Sequence, residues 1–408
     1  MGTTELTTDQ VLRWRLHRQH LDAAPTADGP PAAVDTSATS VADVVAVVER
    51  LAGVQAQVPS AAELAVALRT GPDAPAALRT GPDAPAALRT AHAEGRLLRT
   101  WAQRGTLHLL DPRTAADALA LIGSARTWEK PAWVREFGAT PAQVAQLVEA
   151  VGELLDGTVL TREELTAALA ADPRFAPLAG QLASGWGTLL KPLAWQGVLC
   201  HAPAPGGRAA FTHPATHSPD WPGLPPVDQA GPRLLAAYLG AYGPAGLDRF
   251  DAWLSRNSLR KTVLKGFAAA LGDRLTDVTV DGAPALALTE HLDDLAAAPP
   301  APPVPAVPSV HLLGPYDQYV LGPGTKATEI LPAAHRTAVS RTAGRIAPLL
   351  LVDGRITGTW EQDGPTVTVT PFDRPPPATG LRAAAERLAA ATATPGLTAR
   401  ADAPTAGG

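Results

Sequence analysis

Six prolines fall within ten residues, Pro299 to Pro308, in the stretch AAAPPAPPVPAVPS. Proline has no amide hydrogen and holds φ near −65°, so neither a helix interior nor a central strand can run through such a segment. It predicts a stiff, extended linker over 297–308 that splits the 408-residue chain into a long leading part and a short trailing one. At roughly 100–200 residues per domain, the whole length calls for two to four units rather than one core.

Ahead of the linker the apolar spacing is mostly helical. TTDQVLRWRLHRQHL carries Val11, Leu12, Leu16 and Leu21 on one face and basic residues on the other. A loop by composition follows over 23–40. SVADVVAVVERLAGVQAQ then reads as a helix, with Ser40 as N-cap, Asp43 completing a capping box, and Gly53 and Pro59 marking its end. Two uncharged amides, Gln55 and Gln57, therefore lie just past a helix C-terminus. Residues 71–90 repeat GPDAPAALRT twice, too few copies for a solenoid, and read as a duplication lengthening a surface loop or short helix. GTLHLL alternates as a strand, and PRTAADALALI opens a helix with proline in its first turn.

This order of helix, helix, strand and helix fits a winged-helix unit over 8–138. A second, over 139–222, starts its Thr161 helix with a capping box to Glu164 and ends in a hairpin tipped by Pro205, Gly206 and Gly207. A third, over 230–296, contains DAWLSRNSLRKTVLKGF, read as a basic helix bearing Arg256, Arg260, Lys261 and Lys265 with no acid between Asp251 and Asp273. In a helix-turn-helix setting such a face lies along phosphates; otherwise it is a solvated surface. Beyond the linker, 309–372 alternates around VDG and QDG turns and predicts an antiparallel sheet. An alanine-rich tail over 373–408 is expected to be helical and then disordered. The fold class is α+β, mainly helical: three tandem winged-helix units and a β-rich C-terminal part.

Charge and composition narrow the functions. A net charge of −5 argues against blanket nucleic-acid binding and requires any DNA contact to sit in a local basic groove. One cysteine, Cys200, excludes an internal disulfide, and no run reaches the ~20 apolar residues of a membrane span. The N-terminus lacks the apolar core of a signal peptide, so a cytoplasmic protein is expected. His201, His213 and His217 near Cys200 do not make the close ligand pairs of a structural metal site, and neither metal nor cofactor is expected. Arginine outnumbers lysine 29 to 5, which fits a GC-rich bacterial genome.

Several blocks, in order, carry a family likeness: VERLAGVQAQVPSAAELAVALR, LLRTWAQRGTLHLL, AYGPAGLDRFDAWL, LLGPYDQYVLG and LLVDGRITGTW. From about residue 8 to 372 the chain resembles the AlkZ-type DNA glycosylases, bacterial tandem winged-helix proteins that include an azinomycin self-resistance enzyme. The resemblance implies three winged helices curved around duplex DNA and a catalytic Gln-apolar-Gln motif, matched by Gln55, Ala56 and Gln57. It also implies roles near DNA for Arg99, Arg104, Thr106 and His108, against a purely structural strand, and for Asp317 and Tyr319, against scaffold.

The chemistry is consistent with the motif. Breaking an N-glycosidic bond passes through an oxocarbenium-like sugar, for which most enzymes supply a carboxylate. An amide cannot titrate near neutrality, but its carbonyl can accept hydrogen bonds from a water, orient it and face developing positive charge. That suffices when the leaving group is already cationic, as an N7-alkylated purine is. The expected activity is a monofunctional DNA glycosylase acting on double-stranded DNA, since no lysine neighbours the glutamines in sequence to form a Schiff base. A glutamine at position 57, where another branch of the family has aspartate, favours bulky toxin adducts and interstrand crosslinks. One chain with three winged helices suffices as a monomer. The rival reading is a non-catalytic winged-helix regulator or resistance protein, which would bind a defined sequence and usually dimerise on a palindrome.

Overall fold

The computed structural model describes residues 4–21, 39–70, 83–184, 187–297 and 308–403. It is a mixed α/β structure in which helix predominates. The chain forms two compact units, one from residues 1–88, 236–250 and 271–408, the other from 89–235 and 251–270. Both are discontinuous, unlike the consecutive blocks expected from sequence. The linker over 297–308 and the first copy of the 71–90 duplication fall almost entirely outside the described residues. The second copy is helical from Ala84, opening the helix Ala84–Ala93.

In the first unit, the helix Thr8–Arg18 is capped by Thr7 and Gln10 in a reciprocal box. Beside it lies a three-stranded sheet: Thr4–Leu6 pairs parallel with Leu275–Val280, which pairs antiparallel with Ala283–Leu288. Leu6, Val11, Trp14 and Val278 share their core. A larger sheet orders Val310–Leu313, Leu349–Val352, Arg355–Asp363, Thr366–Pro371 and Thr398–Ala401. The first four strands are antiparallel, and the VDG turn has Asp353 and Gly354 at positive φ, as a tight hairpin needs. The fifth pairs in parallel with Thr366–Pro371. The tail is therefore an integral part of this layer rather than an appendage: Leu381, Ala384, Ala385 and Leu388 of the helix Ala378–Ala391 pack on Val310, Leu350 and Val369.

In the second unit the strand order is Leu107–Leu110, Leu98–Trp101, Cys200–Ala202, Ala210–Thr212 and Leu160–Thr161, all antiparallel. The hairpin at 98–110 and the hairpin around Pro205–Gly207 join through the Arg99–His201 register, so the sheet runs across the expected boundary at 138/139. Around it, Val144, Leu147 and Val151 from one face of the helix Pro141–Leu155 meet Leu165, Phe175, Leu193 and Phe211. The Thr161–Glu164 capping box forms as its sequence predicts.

Candidate active site

The glutamine pair sits in the first unit, between two helices. The helix Val41–Arg50 begins at the Ser40–Asp43 box and buries Val44, Val45, Val47 and Val48. It stops at Leu51, where the Tyr242 hydroxyl donates to the Leu51 carbonyl at 2.6 Å. The chain then reverses through Ala52 and Gly53, at φ 49° and 103°, with the Gly53 amide closing back onto Val48 at 2.9 Å. Alanine at positive φ costs about 1 kcal/mol or more, so the surroundings enforce this turn.

It delivers the short strand Val54–Gln55, then Ala56 and Gln57. Val54, Gln55 and Ala56 are buried, with Gln55 7% exposed, whereas Gln57 is exposed. One amide is thus recessed and the other exposed.

Pro59 starts the next helix, Pro59–Ala67, in its first turn; the preceding Val58 provides no side-chain cap. That helix is braced from below. A methyl group on Gly314 would come within 2.7 Å of Leu64 Cδ2, so the two are in direct van der Waals packing. At its end Arg69, fully buried, donates from Nη2 and Nη1 to the Asp317 carboxylate at 2.7 and 2.9 Å, and from Nη1 to the Ala65 carbonyl at 2.8 Å. Arg18 and Arg50 lie near one another in this unit; burial first, then Arg50, lowers the Arg18 guanidinium to about 10. His20 is pushed to about 4 by burial and then by Arg50 and Arg69, and so is neutral.

Asp317 and Tyr319, expected near DNA, belong to this scaffold instead. Asp317 is 0% exposed and Tyr319 1% exposed. The aspartate holds Arg69 and also accepts from the Tyr319 amide at 2.8 Å, while the Tyr319 hydroxyl donates to the Gly354 carbonyl at 2.6 Å. Neither can meet a DNA strand without opening the core. Sequence reasoning also missed Tyr242 and Arg69. An arginine ending an otherwise apolar helix was the only local signal for the latter.

The other candidates lie in the second unit. Arg99 is half-buried on the strand Leu98–Trp101, and burial lowers its guanidinium below the ordinary range. Arg104 occupies the turn between that strand and the next at φ 57°, its Nη1 donating to the Trp253 carbonyl at 2.9 Å. Thr106 closes the same turn, its hydroxyl donating to the Gln103 carbonyl at 3.1 Å. His108 is 1% exposed. Its Nδ1 lies 3.0 Å from the Thr106 carbonyl, which fixes that nitrogen as the N–H, and burial followed by the nearby Arg104 pushes it to about 3. It is a neutral core histidine, not a surface contact.

The basic segment 256–265 is not one helix. The helix Leu247–Ser255 ends before it and the helix Lys261–Leu271 begins after Arg260, so only Lys261 and Lys265 are helical. Arg256 and Arg260 stand on the intervening turn, and all four are exposed. No acid and no proline interrupts the sequence there, and the Arg256-Asn257 pair at positive φ makes the break.

His201 is buried, His213 caps a short helix by accepting from the Ala215 amide at 3.2 Å, and His217 Nε2 lies 3.2 Å from the Leu97 carbonyl. Among the described residues no three His, Cys, Asp or Glu side chains gather as a metal site would require. Also among the described residues, no helix is long and apolar enough to cross a membrane.

The loop thus carries two neutral amides, Gln55 recessed and Gln57 at the surface, held between the helices Val41–Arg50 and Pro59–Ala67. Residues 48–393 match the model of the AlkZ-like DNA glycosylases, and the chain belongs to that family. It is 46% identical over 364 residues to an interstrand DNA cross-link repair glycosylase of Streptomyces sahachiroi, covering 89% of this chain and 90% of that one. The solved structure of the Streptomyces sahachiroi DNA glycosylase AlkZ superposes with a TM-score of 0.87 at 43% identity, over 98% of this chain and 100% of the other.

Proposed function

We propose that this DNA glycosylase hydrolyses the N-glycosidic bond of cationic N7-alkylated purines, including bulky adducts and interstrand crosslinks, with Gln55 and Gln57 as its catalytic residues. The observation that carries the reading is the pair of amides on the Leu51–Pro59 loop, recessed at Gln55 and exposed at Gln57. The purine bears a positive charge, so the C1′–N9 bond breaks with its electron pair passing to the base and no proton is needed. The Gln57 carbonyl accepts hydrogen bonds from a water and aims its oxygen at C1′; Gln55 helps hold the water or the sugar. The water's proton leaves to solvent, because an amide cannot keep it. The products are an abasic site and the neutral alkylpurine.

A crosslinked base is tethered to both strands and resists extrusion, which favours a surface site over a deep pocket. That the 46%-identical relative is an interstrand DNA cross-link repair glycosylase supports crosslinks as substrates. The reading further includes three tandem winged helices, a basic surface built from Arg99, Arg104, Thr106, Arg256, Arg260, Lys261 and Lys265, a cytoplasmic monomer, and no cofactor.

The test uses duplex oligonucleotides carrying one N7-methylguanine or one N7–N7 purine crosslink, followed by alkali. Strand cleavage by the wild type, lost in the Gln55→Ala, Gln57→Ala variant, is expected. No cleavage of either duplex by the wild type, or full cleavage by the variant, would refute it.

A further inference from the structure

The second unit holds a cavity of one-sided chemistry, well separated in sequence from the glutamine loop. Its volume is about 270 Å³; three cations, Arg104, Lys191 and Arg256, share its lining with Trp133, Phe137 and Trp195, and no carboxylate contributes. Elsewhere in this unit Arg126, Arg174 and Arg233 each pair with an acid, respectively Glu129, Asp172 and Asp117. Here two cations crowd one another instead: burial, and then the nearby Arg256, lowers the Lys191 amine below its ordinary range. Like charges held together raise the energy of the empty site, and an anion between them lowers it.

Arg256 is placed there by a constructed turn. Arg256 and Asn257 both adopt positive φ, 58° and 62°, a conformation that arginine rarely takes. Ser255 Oγ donates to the Asp251 carboxylate. Ser258 donates from its amide to Ser255 Oγ at 2.9 Å and from its hydroxyl to the Ser255 carbonyl at 2.8 Å, which together lock the turn. Arg104 reaches the same cavity from a second positive-φ position, φ 57°.

Thr188 supplies the independent observation. It lines the cavity, and its buried side-chain oxygen has no hydrogen-bond partner among the described residues. A buried hydroxyl left in that state carries a desolvation cost that an acceptor entering the cavity would recover.

We infer that this cavity seats a backbone phosphate of DNA, neutralised by Lys191 and Arg256 and accepting a hydrogen bond from the Thr188 hydroxyl. The aromatic wall meets the adjoining sugar and base. Arg256 was already expected near DNA; Lys191 and Thr188 were not, and they turn a charged surface into a defined site. The inference rests on DNA being the substrate but not on the glutamine chemistry.

The experiment measures binding of a lesion-free duplex by fluorescence anisotropy between about 50 and 200 mM salt. Wild type, Lys191→Gln, Arg256→Gln and Thr188→Val are compared, with thermal melting of each to confirm folding. The slope of log K against log salt is expected to shallow by about 0.9 for each lost cation contact. Thr188→Val should weaken binding several-fold with the slope kept. Wild-type slope and affinity in folded Lys191→Gln and Arg256→Gln would overturn the inference. So would inorganic phosphate raising the wild-type melting temperature while duplex binding ignores these residues, which would mark a free-anion site. A wild type that binds as expected but cleaves no lesion would refute the catalytic reading and leave this one standing.

Discussion

Replacing Asp317 by asparagine removes one charge from the buried pair beneath the glutamine loop, and the structure fixes the scale of the response. Both partners are 0% exposed, and the guanidinium donates twice to the carboxylate, at 2.7 and 2.9 Å. Without the carboxylate charge, Arg69 remains a buried cation whose other contacts are the Ala65 carbonyl and, at 3.4 Å, the Gln19 amide oxygen. Stranding one member of a buried pair costs about 3–5 kcal/mol, much of it the uncompensated charge rather than the lost bonds. Asparagine still serves as an N-cap, so the bond from the Tyr319 amide survives and does not confound the measurement. Urea unfolding with an unchanged m-value should give a loss of this size. The double variant Arg69→Met, Asp317→Leu should recover a large part of it, because two apolar side chains leave no charge to solvate. A loss below about 1 kcal/mol in Asp317→Asn, or a double variant as unstable as the sum of the single ones, would refute the reasoning.

Two further outcomes follow from the same structure. Burial lowers His92 to about 4 and His108 to about 3, and lowers His201 as well, so their folded values lie below the ordinary 6.5. The unfolded chain therefore takes up these protons first as pH falls. Stability should be flat above pH 7 on their account and should decline below about 6.5, by up to about 1.4 kcal/mol per pH unit for each group. Urea midpoints at pH 7.5, 6.5, 5.5 and 4.5 measure this, and stability that holds or rises down to pH 5 would contradict it. Tyr242→Phe deletes the 2.6 Å bond to the Leu51 carbonyl and should cost about 1–2 kcal/mol. It should also lower kcat for alkylpurine release several-fold with little change in DNA affinity; a stability loss with unchanged kcat would assign Tyr242 to the core alone.

Local signals in the sequence specified local structure well. The Ser40–Asp43 and Thr161–Glu164 boxes, proline at the start of the Pro112 helix and the VDG hairpin all form as read. What failed depended on distant partners. Arg15 lies among the basic residues opposite the apolar face of its helix, yet it is 2% exposed and donates from Nε and Nη2 to the Gly243 and Pro244 carbonyls at 3.1 and 3.2 Å. Arg69 and Asp317 are 248 residues apart, and nothing near either names the other. The strand Thr398–Ala401 has Thr398 as its one strand-favouring residue and pairs along the edge that Thr366–Pro371 offers. The glutamines were visible only through the family likeness, since neutral amides leave no trace in a charge pattern.

On the proposed chemistry, that same neutrality makes the support of the loop matter. A carboxylate contributes charge and basicity even when imperfectly aimed, whereas an amide contributes only the direction of its dipole and hydrogen bonds. Its value falls quickly with misplacement, so the loop must be held on every side. Tyr242 fixes the turn before Gln55; Leu64 on Gly314 and the Arg69–Asp317 pair fix the helix after Gln57. Tyr242 is itself wedged against Gly322, where an added methyl would come within 2.2 Å of its ring. Gly314, Asp317 and Gly322 all belong to LLGPYDQYVLG, one of the blocks by which the chain resembles its family. In the proposed reaction that block acts through backbone and packing rather than through contact with DNA, as the support of the loop that carries the two amides.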